Sequence, residues 1–206
     1  MNKFEIKTEK TARYFILGKP SDKIDEVWIV CHGYAQLANY FLKKFECIEA
    51  PNRLIIAPEG LHRFYWNGFS GRVVASWMTK EDRLQDINDY VNYLDNIIEH
   101  IKPQVNSNFK LNVLGFSQGA ATVCRWLSKG NSKIDDLILW GSVFPDDIDY
   151  FDQKNKFNNA NLKLVIGDKD EYYSDEKIDL EIQKMKEKSI EFQLIKYSGN
   201  HHLYED

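Results

Sequence analysis

The sequence has 206 residues, of which 43% are hydrophobic and 14% aromatic, enough for one hydrophobic core and too few residues for two ordinary domains. Its 31 acidic and 27 basic residues give a net charge of -4, which argues against nucleic acid as a partner and against attraction to an anionic membrane. We therefore predict one domain spanning residues 1–206.

The amino terminus and the cysteines bear on the cellular compartment. Residues 1–10 carry several charges and no apolar stretch, so we expect neither a signal peptide nor a membrane-spanning helix. Cys31, Cys47 and Cys124 are odd in number and lack metal-binding spacing, which indicates free thiols in a reducing compartment. We predict a cytoplasmic protein without a metal or another cofactor.

Short apolar runs alternate with longer segments of helical period along the chain. This alternation predicts an α/β fold, with a mostly parallel central sheet and helices on both faces. Before the first parallel strand, Phe4 and Ile6, then Tyr14 and Ile16, alternate with other residues and predict an N-terminal antiparallel hairpin. The predicted parallel strands are residues 27–31, 54–57, 111–116, 137–140, 162–166 and 192–195.

One helix is predicted with particular clarity between the second and third of these strands. Thr79 is a candidate cap of its start, and Pro103 fits its end. Its apolar residues recur every three or four positions and share one face: Leu84, Ile87, Val91, Leu94, Ile98 and Ile101.

A candidate nucleophile follows the third parallel strand. The run Gly115-Phe116-Ser117-Gln118-Gly119 comes directly after the strand and opens a helix-like stretch. A sharp strand-to-helix turn of this type holds a serine in strained geometry and exposes its hydroxyl above the sheet. We predict that Ser117 is a nucleophile; a glycine-rich turn without chemistry is the alternative.

A serine needs a base to take its proton and an acid to orient that base. The fifth parallel strand runs into Gly167-Asp168-Lys169-Asp170, and the sixth precedes Ser198-Gly199-Asn200-His201-His202. Asp168 touches the strand end and suits a turn, so we prefer Asp170 as the acid. Gly199 favours a tight turn that presents His201 rather than His202 as the base.

The negative oxygen formed in acyl transfer needs two donors placed in advance. The run Cys31-His32-Gly33-Tyr34 leaves the first parallel strand, and Gly33 lets the backbone bend toward the site. We assign the two donors of this oxyanion hole to the N–H groups of Tyr34 and Gln118. His32 is interpreted as a loop-shaping residue rather than a second catalytic histidine.

Aromatic residues are dense between residues 63 and 78. We predict that Trp66, Phe69 and Trp77 form the walls of a substrate pocket, and that Phe144, after the fourth parallel strand, reaches the same pocket. Ordinary packing beneath a long loop is the alternative explanation of these aromatic residues.

With these motifs in hand, the chain resembles the phospholipase/carboxylesterase family of α/β-hydrolases. The resemblance implies the α/β-hydrolase fold, the second Asp of Gly-Asp-x-Asp as acid and the histidine after a Gly-x pair as base. Glu171-Tyr172-Tyr173 stand where the family has apolar residues of Pro-Val type. The motifs that carry the resemblance are His32-Gly33, Ala57-Pro58-Glu59-Gly60, Gly115-Phe116-Ser117-Gln118-Gly119-Ala120, Gly167-Asp168-Lys169-Asp170 and Gly199-Asn200-His201.

The function that follows from this resemblance is that of a carboxylesterase-type serine hydrolase. We expect it to cleave short- to medium-chain carboxylic esters, which are small-molecule substrates, through an acyl-enzyme on Ser117. An acyl-protein thioesterase or lysophospholipase is an alternative with the same chemistry. A non-catalytic binding protein with the α/β-hydrolase fold is an alternative of another class. The resemblance also implies a homodimer, because members of the family often pair subunits.

Overall fold

A seven-stranded, mostly parallel sheet forms the centre of the computed structural model, which describes residues 1–203. The strands of this sheet are β1 (Tyr14–Leu17), β2 (Glu26–Cys31), β3 (Arg53–Pro58), β6 (Lys110–Phe116), β7 (Asp136–Trp140), β8 (Asn161–Gly167) and β9 (Gln193–Tyr197). Two further strands, β4 (His62–Asn67) and β5 (Ser70–Ser76), form a separate antiparallel pair. The order in the sheet is β1-β3-β2-β6-β7-β8-β9. All six predicted parallel strands are present, which confirms the fold class.

Helices cover both faces of the sheet. They are α1 (Ala38–Leu42) with a following 3-10 helix (Lys43–Ile48), α2 (Arg83–Ile101) with a 3-10 helix (Lys102–Gln104), α3 (Gln118–Lys129), α4 (Lys154–Asn158) and α5 (Asp175–Glu187). Buried residues of α2, α3, α4 and α5 join one core cluster, whereas those of α1 join a second cluster with β2, β3 and β6. None of the helices in residues 1–203 is long and apolar enough to cross a bilayer.

The predicted long helix is present as α2, although its start differs from the prediction. Five of its six predicted apolar residues are buried, and Leu84 is exposed. Asp82 precedes the helix with a left-handed φ of 49°. The backbone N–H of Thr79 donates to the Asp86 carboxylate, so Thr79 contacts the first turn as a donor and does not cap it with its own side chain.

The antiparallel edge of the sheet forms differently from the predicted hairpin. Strand β1 pairs antiparallel with β3, from Tyr14 opposite Pro58 to Leu17 opposite Ile55. Residues 1–13 contain no strand, and the side chains of Phe4 and Ile6 are exposed. Polar contacts direct this segment toward α2 instead, because Lys3 pairs with Asp82 and Glu5 accepts from Gln85. The alternation around Phe4 therefore does not reflect burial.

The aromatic segment at residues 63–78, predicted as a loop, is largely the β4–β5 hairpin. Its strands pair from His62 opposite Ser76 to Asn67 opposite Ser70, around a turn in which Gly68 has a φ of 64°. With Asn67 opposite Ser70, the two turn residues are Gly68 and Phe69, and of these only Gly68 has a positive φ. A glycine at the first central position is one of the two common patterns of a two-residue hairpin turn. The local turn signal in this segment is therefore Gly68, and the predicted loop is a hairpin instead.

Candidate active site

Ser117 lies at a sharp turn between β6 and α3. Its φ of 53° and ψ of −116° lie in a region that residues other than glycine rarely adopt. The backbone there is crowded: a Cβ on Gly115 would lie 2.3 Å from the Gly119 carbonyl oxygen, and a Cβ on Gly119 would lie 2.1 Å from the Cys31 carbonyl oxygen. The two flanking glycines are therefore required for strand and helix to approach this closely.

Hydrogen bonds join Ser117, His201 and Asp170 in a chain. The Ser117 Oγ lies 3.1 Å from His201 Nε2, and His201 Nδ1 lies 2.8 Å from Asp170 Oδ2. Because an ionised carboxylate only accepts hydrogen bonds, the imidazole proton is on Nδ1 and Nε2 is free to accept from the serine hydroxyl. The structure thus brings the three predicted residues together in an arrangement that can activate a serine for attack on a carbonyl carbon.

The loops that carry the acid and the base contact each other directly. A Cβ on Gly167 would lie 2.2 Å from the Gly199 carbonyl oxygen. Asp168 Oδ1 accepts the Gly199 N–H at 2.9 Å, and the Lys169 N–H donates to the Gly199 carbonyl at 2.8 Å. Asp168 is thus a link between the two loops, whereas Asp170 reaches the imidazole.

The His201 ring is held between aromatic neighbours. Its centroid is 5.1 Å from that of Phe116 and 4.7 Å from that of Tyr172, and its side chain is only 14% exposed. Gly141 makes room beside it, because a Cβ at Gly141 would lie 3.0 Å from the ring. His202 is exposed, and it is the ring of His201 that bonds both Ser117 and Asp170, so the structure distinguishes the two adjacent histidines.

The two N–H groups predicted to stabilise an oxyanion lack a hydrogen-bond acceptor among residues 1–203, whereas neighbouring N–H groups have one. The Gly33 N–H donates to the Gln36 side chain at 2.8 Å, and the Ala35 N–H donates to Ala75 at 2.9 Å. Within residues 1–203, the amides of Tyr34 and Gln118 have no such acceptor. Gln118 also begins α3, where backbone N–H groups are unsatisfied and the helix dipole favours negative charge.

The side chain of Gln118 has a separate structural task. Its Oε1 accepts the N–H of Trp77 at 3.1 Å, and its Nε2 donates to the Met78 carbonyl at 3.1 Å. The Ser76 hydroxyl also lies within hydrogen-bond distance of this amide. Gln118 therefore ties the start of α3 to the segment that follows β5, which explains the glutamine in the Gly-Phe-Ser-Gln-Gly motif.

His32 is buried behind the oxyanion loop. Its Nε2 accepts the Gly60 N–H at 3.0 Å, so Nδ1 carries the ring proton and donates to the Gly33 carbonyl at 2.8 Å. Burial lowers the pKa of His32 to about 4 and keeps the ring neutral. The Trp77 indole N–H donates to the His32 carbonyl at 2.8 Å and supports the same loop. Sequence reasoning missed this role of Trp77.

A cleft of about 420 Å³ opens beside Ser117. Three tyrosines contribute to its walls, so the cleft is less apolar than the sequence analysis predicted. Its lining residues are Gly33, Tyr34, Gln36, Phe116, Ser117, Tyr172, Tyr173, His201 and His202.

None of the four predicted pocket residues lines this cleft. Trp77 and Phe144 are 0% and 1% exposed and belong to the core, where Phe144 packs against Tyr150 and Phe192. Their place in the core corrects the prediction for both residues. Trp66 and Phe69 are exposed on the β4–β5 hairpin; the Trp66 ring centroid is 6.4 Å from that of Tyr34, and Phe69 is fully exposed.

Parallel strands that bring a serine, a histidine and an aspartate to one edge of the sheet define a class, the serine hydrolases with the α/β-hydrolase fold. A comparison with protein-family models agrees with this class. The model of the serine hydrolase (FSH1) family matches residues 28–203. The chain belongs to this family and is a serine hydrolase.

Solved structures share the fold over nearly the whole chain. Acyl-protein thioesterase 2 from Zea mays is 17% identical, with a TM-score of 0.70 over 94% of this chain and 93% of that chain. Esterase PE8 is also 17% identical, with a TM-score of 0.70 over 94% and 92%. The Bacillus cereus carboxylesterase is 12% identical, with a TM-score of 0.63 over 93% and 87%. The resemblance inferred from the motifs is thereby confirmed, while a comparison with curated protein sequences gives no match.

Proposed function

We propose that this serine hydrolase cleaves short- to medium-chain carboxylic esters through an acyl-enzyme on Ser117. In this proposal His201 is the base and then the acid, and Asp170 orients the imidazole. The observation that carries the proposal is the pair of hydrogen bonds at 3.1 Å and 2.8 Å that links the three side chains.

Acylation begins when Ser117 Oγ forms a bond to the ester carbonyl carbon and its proton moves to His201 Nε2. The tetrahedral intermediate then expels the alcohol oxygen, which takes that proton as the carbon–oxygen bond breaks. A water molecule repeats the sequence on the acyl-enzyme, giving the carboxylic acid and free Ser117. Asp170 remains ionised throughout and stabilises the imidazolium that forms twice per turnover.

We assign the stabilisation of the negatively charged oxygen in both tetrahedral intermediates to the N–H groups of Tyr34 and Gln118. A backbone donor fixed before the reaction needs no reorganisation when the charge appears, and one such donor typically contributes about 10²–10³-fold to the rate. The absence of an acceptor for either amide among residues 1–203 supports this assignment.

The shape of the cleft supports a substrate of modest size. The cleft beside Ser117 has a volume of about 420 Å³ and is lined by tyrosines, whereas the large apolar side chains of Trp77 and Phe144 are buried in the core and offer no wall to a long acyl chain. The Zea mays neighbour is named an acyl-protein thioesterase, so a thioester of an acylated protein is the second candidate. Rates on a panel of esters of graded acyl length, compared with a palmitoylated peptide, separate the two; a strong preference for the peptide would favour the second.

Substitution of the nucleophile tests the proposal. We expect Ser117→Ala to abolish turnover of p-nitrophenyl acetate and butyrate and labelling by a fluorophosphonate probe, while the fold is retained. Ser70→Ala changes an exposed serine on the β4–β5 hairpin and serves as the matched control that keeps both. Unchanged turnover in Ser117→Ala would refute the nucleophile. Absence of both turnover and labelling in the wild type would favour the non-catalytic binding protein.

The cytoplasmic location and the homodimer stay predictions from the sequence. Cell fractionation checks the first. Light scattering after size-exclusion chromatography checks the second.

A further inference from the structure

Tyr172 has an unusual position for an exposed side chain. It is 57% exposed, yet its ring centroid lies 4.7 Å from that of His201, with the two rings inclined at 72°. It also lines the cleft beside Ser117. None of the proton transfers between Ser117, His201 and Asp170 involves this side chain.

The chemistry of the acylation step determines what must lie beside His201. The departing alcohol oxygen takes its proton from His201 Nε2, so it must come within about 3 Å of that atom. The rest of the alcohol is bonded to this oxygen and therefore lies along the same side of the cleft. The Tyr172 ring contacts the imidazole and lines the cleft, so it borders the space that the alcohol part of the ester occupies.

We propose that Tyr172 forms the leaving-group wall of the cleft and favours esters of aromatic alcohols over esters of small alkyl alcohols. This inference rests on the proposed function. An aryl group extends far enough from the ester oxygen to contact the Tyr172 ring, whereas a methyl group does not. Aromatic pairs gain from such contacts beyond the area they bury.

The backbone of Tyr172 is fixed independently of its ring. Its N–H donates to Asp170 Oδ1 at 2.9 Å, and its carbonyl accepts from Lys177 Nζ at 2.9 Å. Replacing the side chain leaves both hydrogen bonds available. Tyr172→Ala thus removes the wall while the support of Asp170 is kept.

Phenyl acetate and methyl acetate provide a sharp test, because both give the same acetyl-enzyme and differ only in the alcohol. For Tyr172→Ala we expect kcat/KM on phenyl acetate to fall about fivefold to tenfold, the usual worth of one aromatic contact. We expect a change of less than about twofold on methyl acetate, which makes no such contact. Hydrolysis of the preformed acetyl-enzyme, measured in single-turnover experiments, should keep its wild-type rate because the alcohol has already left.

Two further variants complete the design. Tyr172→Phe keeps the ring and should therefore keep the wild-type preference for phenyl acetate over methyl acetate. Tyr40→Ala removes a tyrosine that is 65% exposed on α1, outside the cleft lining, and should match the wild type on both esters.

The outcomes separate this inference from the proposed function. If Tyr172→Ala slows both esters and the hydrolysis of the acetyl-enzyme by one common factor, the ring only supports His201 and the inference is wrong. Unchanged selectivity in that variant would refute it as well. If the wild type hydrolyses neither ester, and no other carboxylic ester, the proposed function itself fails.

Discussion

The Nδ1 atom of His32 lies 2.8 Å from the carbonyl oxygen of the next residue, Gly33. That carbonyl shares a peptide unit with the N–H of Tyr34, and in a trans peptide the two groups point in opposite directions. The hydrogen bond from His32 therefore determines the direction of the Tyr34 N–H, although His32 itself lies behind the loop. A histidine before Gly33 thus acts as a positioning residue for the predicted oxyanion donor.

The burial of His32 predicts a loss of stability in mild acid. Its folded pKa of about 4 lies below the ordinary value of 6.5, so between these values the unfolded chain binds a proton that the folded chain does not. The free energy of unfolding should therefore rise with pH across this window and level off above it. We expect a loss of about 2 kcal/mol from this histidine between about pH 7 and about pH 5.

Urea unfolding at these two pH values measures the effect. His32→Gln should lack this part of the pH dependence, whereas His100→Gln, on the exposed side of α2, should keep it because His32 is intact. If wild type and His32→Gln lose the same free energy on acidification, His32 is not the source.

Asp168 and Asp170 are two residues apart and should respond very differently to amide substitution. Asp170→Asn places a neutral amide where the imidazole needs an ionised acceptor, and we expect kcat to fall about 10⁴-fold. Asp168→Asn retains an oxygen that can accept the Gly199 N–H, so we expect activity within about threefold of wild type. Ester hydrolysis by the two variants checks this contrast, and equal losses would reject the distinct roles of the two carboxylates.

The sequence was sufficient to predict the parallel strands and the turn at Ser117. Strands covered on both faces are continuous apolar runs, and the Gly-x-Ser-x-Gly spacing reflects a backbone approach that only glycine allows. Both are local properties of the chain, and both are visible in β6 and the start of α3. The structure reproduces them with small shifts of the strand ends.

The aromatic residues of the predicted pocket show that burial set by contacts distant in sequence cannot be predicted from a local pattern. Trp77 is buried because its backbone N–H contacts Gln118 and its indole contacts His32, residues 41 and 45 positions away. No periodicity within residues 63–78 reveals such distant partners. Composition alone cannot tell a tryptophan that supports a loop from one that lines a cleft, whereas the glycine of the hairpin turn, Gly68, is a local signal.

Two glycines with different surroundings give a matched test of backbone crowding. Gly119→Ala brings a Cβ within 2.1 Å of the Cys31 carbonyl oxygen, and we expect a loss of more than about 3 kcal/mol because backbone must move. Gly68 has a positive φ of 64° but open space around it, so Gly68→Ala should cost only about 1 kcal/mol. Urea unfolding compares the two variants. Similar losses would mean that strand and helix do not depend on this close approach.

The backbone at Ser117 should reverse the usual order of alanine and glycine. Glycine normally lowers stability relative to alanine, because it gives the unfolded chain more freedom. At Ser117 the φ of 53° and ψ of −116° penalise any Cβ, and such strain typically costs about 1–3 kcal/mol. We therefore expect Ser117→Gly to be more stable than Ser117→Ala by about 1 kcal/mol in urea unfolding.

Both variants lack the hydroxyl, so the difference between their free energies of unfolding reports the backbone strain alone. The same pair of substitutions at Ser70, whose φ is not positive, should follow the usual order and serves as the control. A Ser117→Gly variant less stable than Ser117→Ala would show that the turn holds no such strain. The predicted order instead means that the turn keeps a conformation unfavourable for serine, because that conformation directs the hydroxyl toward His201.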